Sequence, residues 1–189
     1  MPTIRPFRDT DPKYVLNYFT FNPSGSYPAA KGQFVKILSG WNAEQNLAEL
    51  GDVGAHYNNT VSQRYGIAPY VGTCTSSGDN TLGILLYDVR EVDENGEKLI
   101  FKPEKQFRMQ AVLSGQAVPI LQKGIVLYSG VNGGGRNPAT VTAGAPAFLG
   151  IDGGVNTSGS MGNLGNVTRV GTFLGPCDAN GWVLLKIDL

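Results

Sequence analysis

Glycine and proline punctuate this chain so densely that neither a long helix nor a long strand fits between them. With 26 Gly and 11 Pro in 189 residues, about a fifth of the chain is turn-forming, against a usual share near ~12%. Hydrophobic residues still make up 41%, so there is enough apolar material for a core. A chain of this size can bury roughly 70% of the surface exposed by its unfolded form. Many short strands joined by tight turns satisfy both facts, and the fold class expected is all-β.

Short apolar runs between the breaks mark the strands: residues 33–38, 61–71, 81–92, 109–113, 117–121 and 125–128. The segment 42–50 alone has helix-forming composition, ending at Gly51. Residues 167–174 and 182–187 form a last hairpin across Asp178-Ala179-Asn180-Gly181, because an Asn-Gly pair between apolar runs is a strong hairpin signal. Among these strands Phe173, Trp182, Leu184 and Ile125 are expected to supply core positions. The glycine-rich stretches 130–142 and 150–166 are expected to be long polar loops.

Two segments do not fit a minimal body of strands. Residues 1–22 carry Pro2, Pro6 and Pro12, which block helix continuation and central-strand pairing. They read as an extended N-terminal arm, and their aromatics Tyr14, Tyr18, Phe19 and Phe21 need a surface to lie on. Residues 88–108 hold 11 of the chain's 30 charges around Asp93-Glu94-Asn95-Gly96, which predicts a protruding charged hairpin between 87–89 and 99–101. Arg90, Glu94, Lys98 and Lys105 are its candidate contact residues. The domain reading is an arm at 1–22, then a body at 23–189 that carries the hairpin.

Chemistry-bearing groups are sparse. Fifteen basic residues balance fifteen acidic ones, so the chain as a whole has no field to draw in nucleic acid or an anionic membrane. No apolar run approaches the ~20 residues of a membrane span, and the first residues lack a signal-peptide core, so synthesis in the cytoplasm is expected. Cys74, Cys177 and the lone His56 cannot make the usual zinc set without carboxylate help. Both cysteines read as small buried residues, with a disulfide between them left open. A nucleophilic site from Cys177, His56 and Asp178 has no supporting local signature. The Gly133-Gly134-Gly135-Arg136 loop lacks the phosphate-cradle pattern, and Asp93 to Gly96 lacks calcium-loop spacing. No catalytic residue, metal or cofactor is expected.

The C-terminal half carries a resemblance. Ser114-Gly115-Gln116-Ala117-Val118-Pro119-Ile120-Leu121-Gln122-Lys123-Gly124-Ile125-Val126 is followed by Gly144-Ala145-Pro146-Ala147-Phe148-Leu149-Gly150-Ile151-Asp152-Gly153. Val170-Gly171-Thr172-Phe173-Leu174 and the strand from Trp182 to Ile187 close the pattern. Over residues 30–189 this succession of strands and turns resembles the head decoration, or cement, proteins of tailed bacteriophages, of the lambda head-stabilising type. The resemblance implies a single antiparallel β-barrel or β-tulip and attachment to the outer capsid surface of an icosahedral virion. It further implies a homotrimer that bridges major capsid protein subunits, with no direct nucleic-acid or membrane contact. A carbohydrate-binding or host-adhesion module, using exposed aromatics and polar loops, is the alternative from another class; a small β-rich hydrolase is a third.

Overall fold

Short apolar runs in this chain alternate between two faces, and the computed structural model shows where each face goes. It describes residues 3–7, 10–21, 29–40, 69–132, 141–150, 153–157 and 167–189; the segment 42–50, a short helix or a loop by composition, most of the strand expected at 61–71 and the Gly133-Gly134-Gly135-Arg136 loop lie outside them. The described chain is mostly β, arranged chiefly in antiparallel sheets.

The larger sheet is built from β1 (Thr3–Pro6), β10 (Lys123–Ser129), β11 (Val131–Asn132), β12 (Pro146–Leu149), β13 (Val155–Asn156), β14 (Arg169–Phe173) and β15 (Trp182–Asp188). Their spatial order is β1-β10-β15-β14-β12-β13-β11. The expected final hairpin is present: β14 and β15 pair antiparallel, and Asp178 Oδ1 accepts the N–H groups of Asn180 and Trp182 across the turn. The smaller sheet contains β2 (Val15–Leu16), β3 (Thr20–Phe21), β4 (Phe34–Ser39), β5 (Tyr70–Thr73), β6 (Gly83–Leu85) and β9 (Ile120–Leu121). Its order is β2-β9-β6-β4-β5-β3. A parallel pair, β7 (Asp88–Val89) with β8 (Ala111–Val112), stands apart.

Register explains why the smaller sheet is apolar on both sides. Phe34 pairs with Ile84, and Ile84 with Leu121, so these three form one row across β4, β6 and β9. That row enters the first core with Ile4, Val126, Tyr128, Leu149, Phe173, Val183, Leu185 and Ile187 from the larger sheet. Their sequence neighbours Val35, Leu85 and Ile120 point the other way, into a second core. Side chains alternate sides along a strand, so a sheet covered on both faces reads as a continuous apolar run. Each fully buried Leu, Ile, Val or Phe contributes roughly 1.5–3 kcal/mol relative to exposure.

The second core corrects the arm. The described residues of this segment, 3–7 and 10–21, are not a separate piece: Ile4 of β1 pairs with Tyr128 and is buried in the first core. Phe21 pairs in parallel register with Val71, and both Phe19 and Phe21 are buried in the second core beside Ala29, Val89, Val112 and Val118. The prolines do not exclude helix here either. Pro12 opens a short 3-10 helix, Pro12–Tyr14, where a missing N–H costs nothing, and Asp11 caps it by accepting the Lys13 N–H at 3.1 Å. The chain's own body buries Phe19 and Phe21 and half-buries Tyr14, while Tyr18 stays exposed.

Two further expectations change. In β15 the core takes Val183, Leu185 and Ile187, and in β10 it takes Val126 and Tyr128. Trp182, Leu184 and Ile125 therefore face outward and are half-buried, with only Phe173 of the four expected residues in the core. In β10 both faces carry apolar residues, so the sequence pattern does not select one, and a one-residue offset exchanges the entire set; in β15 the exposed Lys186 and Asp188, in line with Trp182 and Leu184, mark the outward face. The stretches expected to be polar loops also contribute to the core. Val131 and Val155 pair in parallel and are buried in the first core.

Candidate interaction surface

The charged segment 88–108 folds on itself through one carboxylate. Asp93 Oδ1 accepts the N–H of Asn95 and the N–H of Glu97, each at 2.8 Å. Its other oxygen, Oδ2, takes the Lys105 ammonium. Gly96 sits at φ +80°, in the region that a side chain disfavours, which lets the turn close with the Gly96 N–H on the Asp93 carbonyl. The ion pair with Lys105, followed by the backbone donors, holds the Asp93 carboxyl down to about 2 although burial opposes it. The same pairing raises Lys105 above the ordinary lysine value.

The turn is present, but the expected hairpin is not. Its two limbs meet in a single bridge, Val92 with Lys98, and β7 pairs with β8 instead of with residues 99–101. The return limb becomes a 3-10 helix, Leu99–Phe101, and then α1 (Pro103–Arg108) with Pro103 at its first turn. The physical reason lies beneath the turn. Leu99 is fully buried with Ala111 and Leu113, and Met109 packs against them, forming a third small core. A helical limb puts Leu99 into that core. Gln106 Nε2 donates to Gln116 Oε1 at 2.7 Å, while Glu91 accepts the Ser114 N–H at 2.8 Å. The lobe is thereby fastened to the turn that follows β8.

What this lobe shows to solvent is apolar as well as charged. Phe101 is 77% exposed and Phe107 76%, and Val92 and Ile100 are exposed beside them in sequence order. Lys102, Pro103, Glu104, Lys105 and Arg108 line a shallow groove of about 560 Å³. Lys102 pairs with Glu97, and Arg108 with Glu104 at 4.0 Å. Phe101 and Phe107 are thus left three-quarters in water on a braced lobe.

The residues expected at contacts divide into two groups. Arg90, Glu94, Lys98 and Lys105 come together on the lobe: Arg90 Nε donates to the Val92 carbonyl at 2.7 Å, Glu94 and Lys98 are exposed, and Lys105 is held by Asp93. Of the aromatics, Tyr18 alone is well exposed, at 62%. Phe19 and Phe21 are spent in the second core, and Tyr14 packs against the first with Lys13 4.9 Å from its ring centroid. Phe101 and Phe107 were missed because the limb that carries them reads as strand. The signal that finds them is Pro103-Glu104, a proline at the first helical position followed by an acid.

The other chemical candidates are quiet. Both cysteines are free thiols. Burial pushes Cys74 up to about 11, with Thr81 Oγ1 at 3.8 Å. Burial, reinforced by the Asp178 carboxylate, also raises Cys177, the opposite of what an activated nucleophile needs. His56 lies outside the described residues. Comparison of the sequence with models of known protein families finds no match, and comparison with curated proteins finds no similar sequence. Among the described residues no helix is long and apolar enough to cross a membrane.

Proposed function

We propose that this chain is a non-enzymatic virion structural protein that binds the outer surface of an icosahedral phage head and stabilises it by bridging major capsid protein subunits. The observation that carries the reading is the pair Phe101 and Phe107, three-quarters exposed on a lobe pinned from beneath by Asp93 and Leu99. A rigid lobe needs little ordering when it docks, so its apolar area converts efficiently into affinity. Phenylalanine has no hydroxyl or N–H to direct toward a sugar, which favours a protein partner over the carbohydrate-binding alternative. The resemblance of residues 30–189 to head decoration proteins supplies the identity of that partner. In this reading the two sheets are the walls of one barrel-like body around the first core, and the working form is a homotrimer, whose linked copies raise avidity by roughly 10² to 10⁴.

The test is add-back to heads that lack the protein. Wild-type chain should restore resistance to heat or chelator, saturating at a fixed ratio to capsid protein, whereas the double variant Phe101→Ser, Phe107→Ser should bind at least tenfold more weakly. Heads equally robust with and without the chain would refute the reading, and binding to a glycan array would move it to adhesion.

A further inference from the structure

Two turns of this chain, Asp93-Glu94-Asn95-Gly96 and Asp178-Ala179-Asn180-Gly181, share one set of backbone bonds and differ in one partner. In each, the Asp N–H donates to a carbonyl across the turn, Asp93 to Glu97 at 3.0 Å and Asp178 to Trp182 at 2.8 Å. Each Asp carbonyl accepts the glycine N–H, from Gly96 at 3.3 Å and from Gly181 at 3.0 Å. One carboxylate oxygen takes two more N–H groups, those of Asn95 and Glu97 or of Asn180 and Trp182. Both glycines hold positive φ, +80° and +78°. The other carboxylate oxygen separates the turns. Lys105 occupies it on the buried Asp93, whereas Asp178 is exposed and forms no ion pair among the described residues.

We infer that Asn180 is a site of self-modification, deamidating through a cyclic imide to aspartate and isoaspartate, and that Lys105 guards Asn95 from the same reaction. The co-reactant is water alone. The Gly181 backbone nitrogen attacks Asn180 Cγ; the N–Cγ bond forms, the Cγ–Nδ2 bond breaks, and the glycine proton leaves with the amide as ammonia. Water then opens the imide at either carbonyl, and nothing is oxidised or reduced. Glycine suits the attack because it has no Cβ to crowd its nitrogen. In the closed turn that nitrogen is engaged by the Asp carbonyl, so reaction runs from the opened turn and its rate follows the opened fraction. What holds each turn shut therefore sets its rate. The Asp178 turn lacks the ammonium and is also set off from its sheet. Between the Leu174–Leu184 bond and the turn, Gly175-Pro176-Cys177 stand opposite Val183 alone, and Pro176 has no N–H to pair. The Asp93 turn is tied just beyond its end by the Leu99 N–H on the Glu91 carbonyl at 3.0 Å, with Leu99 fully buried. A third Asn-Gly pair, Asn132-Gly133, extends outside the described residues.

Peptide mapping by mass spectrometry of the full chain, incubated at mildly alkaline pH, follows each pair separately, so in one sample each turn is the other's control. Asn180 should convert about two- to fivefold faster than Asn95, the factor that an ion pair with Lys105 36% exposed supplies. Lys105→Met should speed Asn95 by about the same two- to fivefold and leave Asn180 unchanged. Asp178→Ala, which removes the acceptor of the Asn180 and Trp182 N–H groups, should speed Asn180 and leave Asn95 unchanged. Asn180→Gln, whose longer side chain closes the imide less readily, should remove isoaspartate from that peptide. Asn95 converting as fast as Asn180 in the wild type overturns the inference. So does an Asn95 rate indifferent to Lys105→Met, a Lys105→Met variant in which both peptides accelerate together, or a full chain in which neither converts.

Discussion

Removing residues 1–22 distinguishes an appended arm from a woven-in part of the body. The truncation takes away Ile4 from the first core and Phe19 and Phe21 from the second, all buried, together with three strands paired to β10, β9 and β5. At roughly 1.5–3 kcal/mol for each buried side chain, these three account for about 5–9 kcal/mol. Whole domains of this kind are stable by only about 5–15 kcal/mol. The truncated chain should therefore unfold at room temperature or retain at most a residual, poorly cooperative transition. Urea titration of both chains, followed by tryptophan fluorescence and far-ultraviolet circular dichroism, measures this directly. A truncated chain with a cooperative transition within about 2 kcal/mol of the full chain would show that the N-terminal strands are not part of the folded unit.

Three further outcomes follow from the packing. Phe173→Ala should cost about 3–5 kcal/mol, because Phe173 is fully buried. Trp182→Ala should cost about 1–2 kcal/mol, since it faces outward, half-buried, under the Arg5 guanidinium at 4.7 Å; equal losses in thermal denaturation would mean the face of β15 is misassigned. Tyr128→Phe should change stability by no more than about 1 kcal/mol: burial pushes the phenol well above its usual pKa, and hydrogen bonding from the Val155 backbone offsets this only in part. A much larger loss in that variant would mean that the hydroxyl is bonded more firmly. Asp93 titrates at about 2 when folded, below its ordinary 3.8, so the stability it lends the lobe is complete above pH 3.8 and is lost as pH falls through about 2. Hydrogen exchange at the Asn95 and Glu97 amides should lose protection across that window in the wild type, and protection that stays flat would refute the role given to the carboxylate.

How much was legible follows from where each signal resides. Turn chemistry is local, so Asp178 to Gly181 and Asp93 to Gly96 both appear as turns. The candidate surface was half legible. Charge density located the lobe and Arg90, Glu94, Lys98 and Lys105 on it, but its most exposed large apolar residues, Phe101 and Phe107, belong to a limb whose helical form depends on contacts more than ten residues away.

The sequence by itself determined that this chain is built of short strands and tight turns, because glycine, proline and Asn-Gly act through the backbone of their own neighbours. It also determined that part of the N-terminal aromatic area would be covered, because apolar area in water is unfavourable wherever it lies in the chain. Only the tertiary structure decided where. Phe19 and Phe21 fill the chain's own second core because the smaller sheet offers Val35, Val71, Leu85 and Ile120 on its far face. In β10 Val126 and Tyr128 point inward, and Ile125 and Leu127 outward, because pairing with β15 fixes one of two apolar faces. Leu99 draws its limb into a helix because the space between Ala111 and Leu113 lies below it. Each of these choices depends on a surface contributed by residues distant in sequence, and such a surface exists only once the chain has folded.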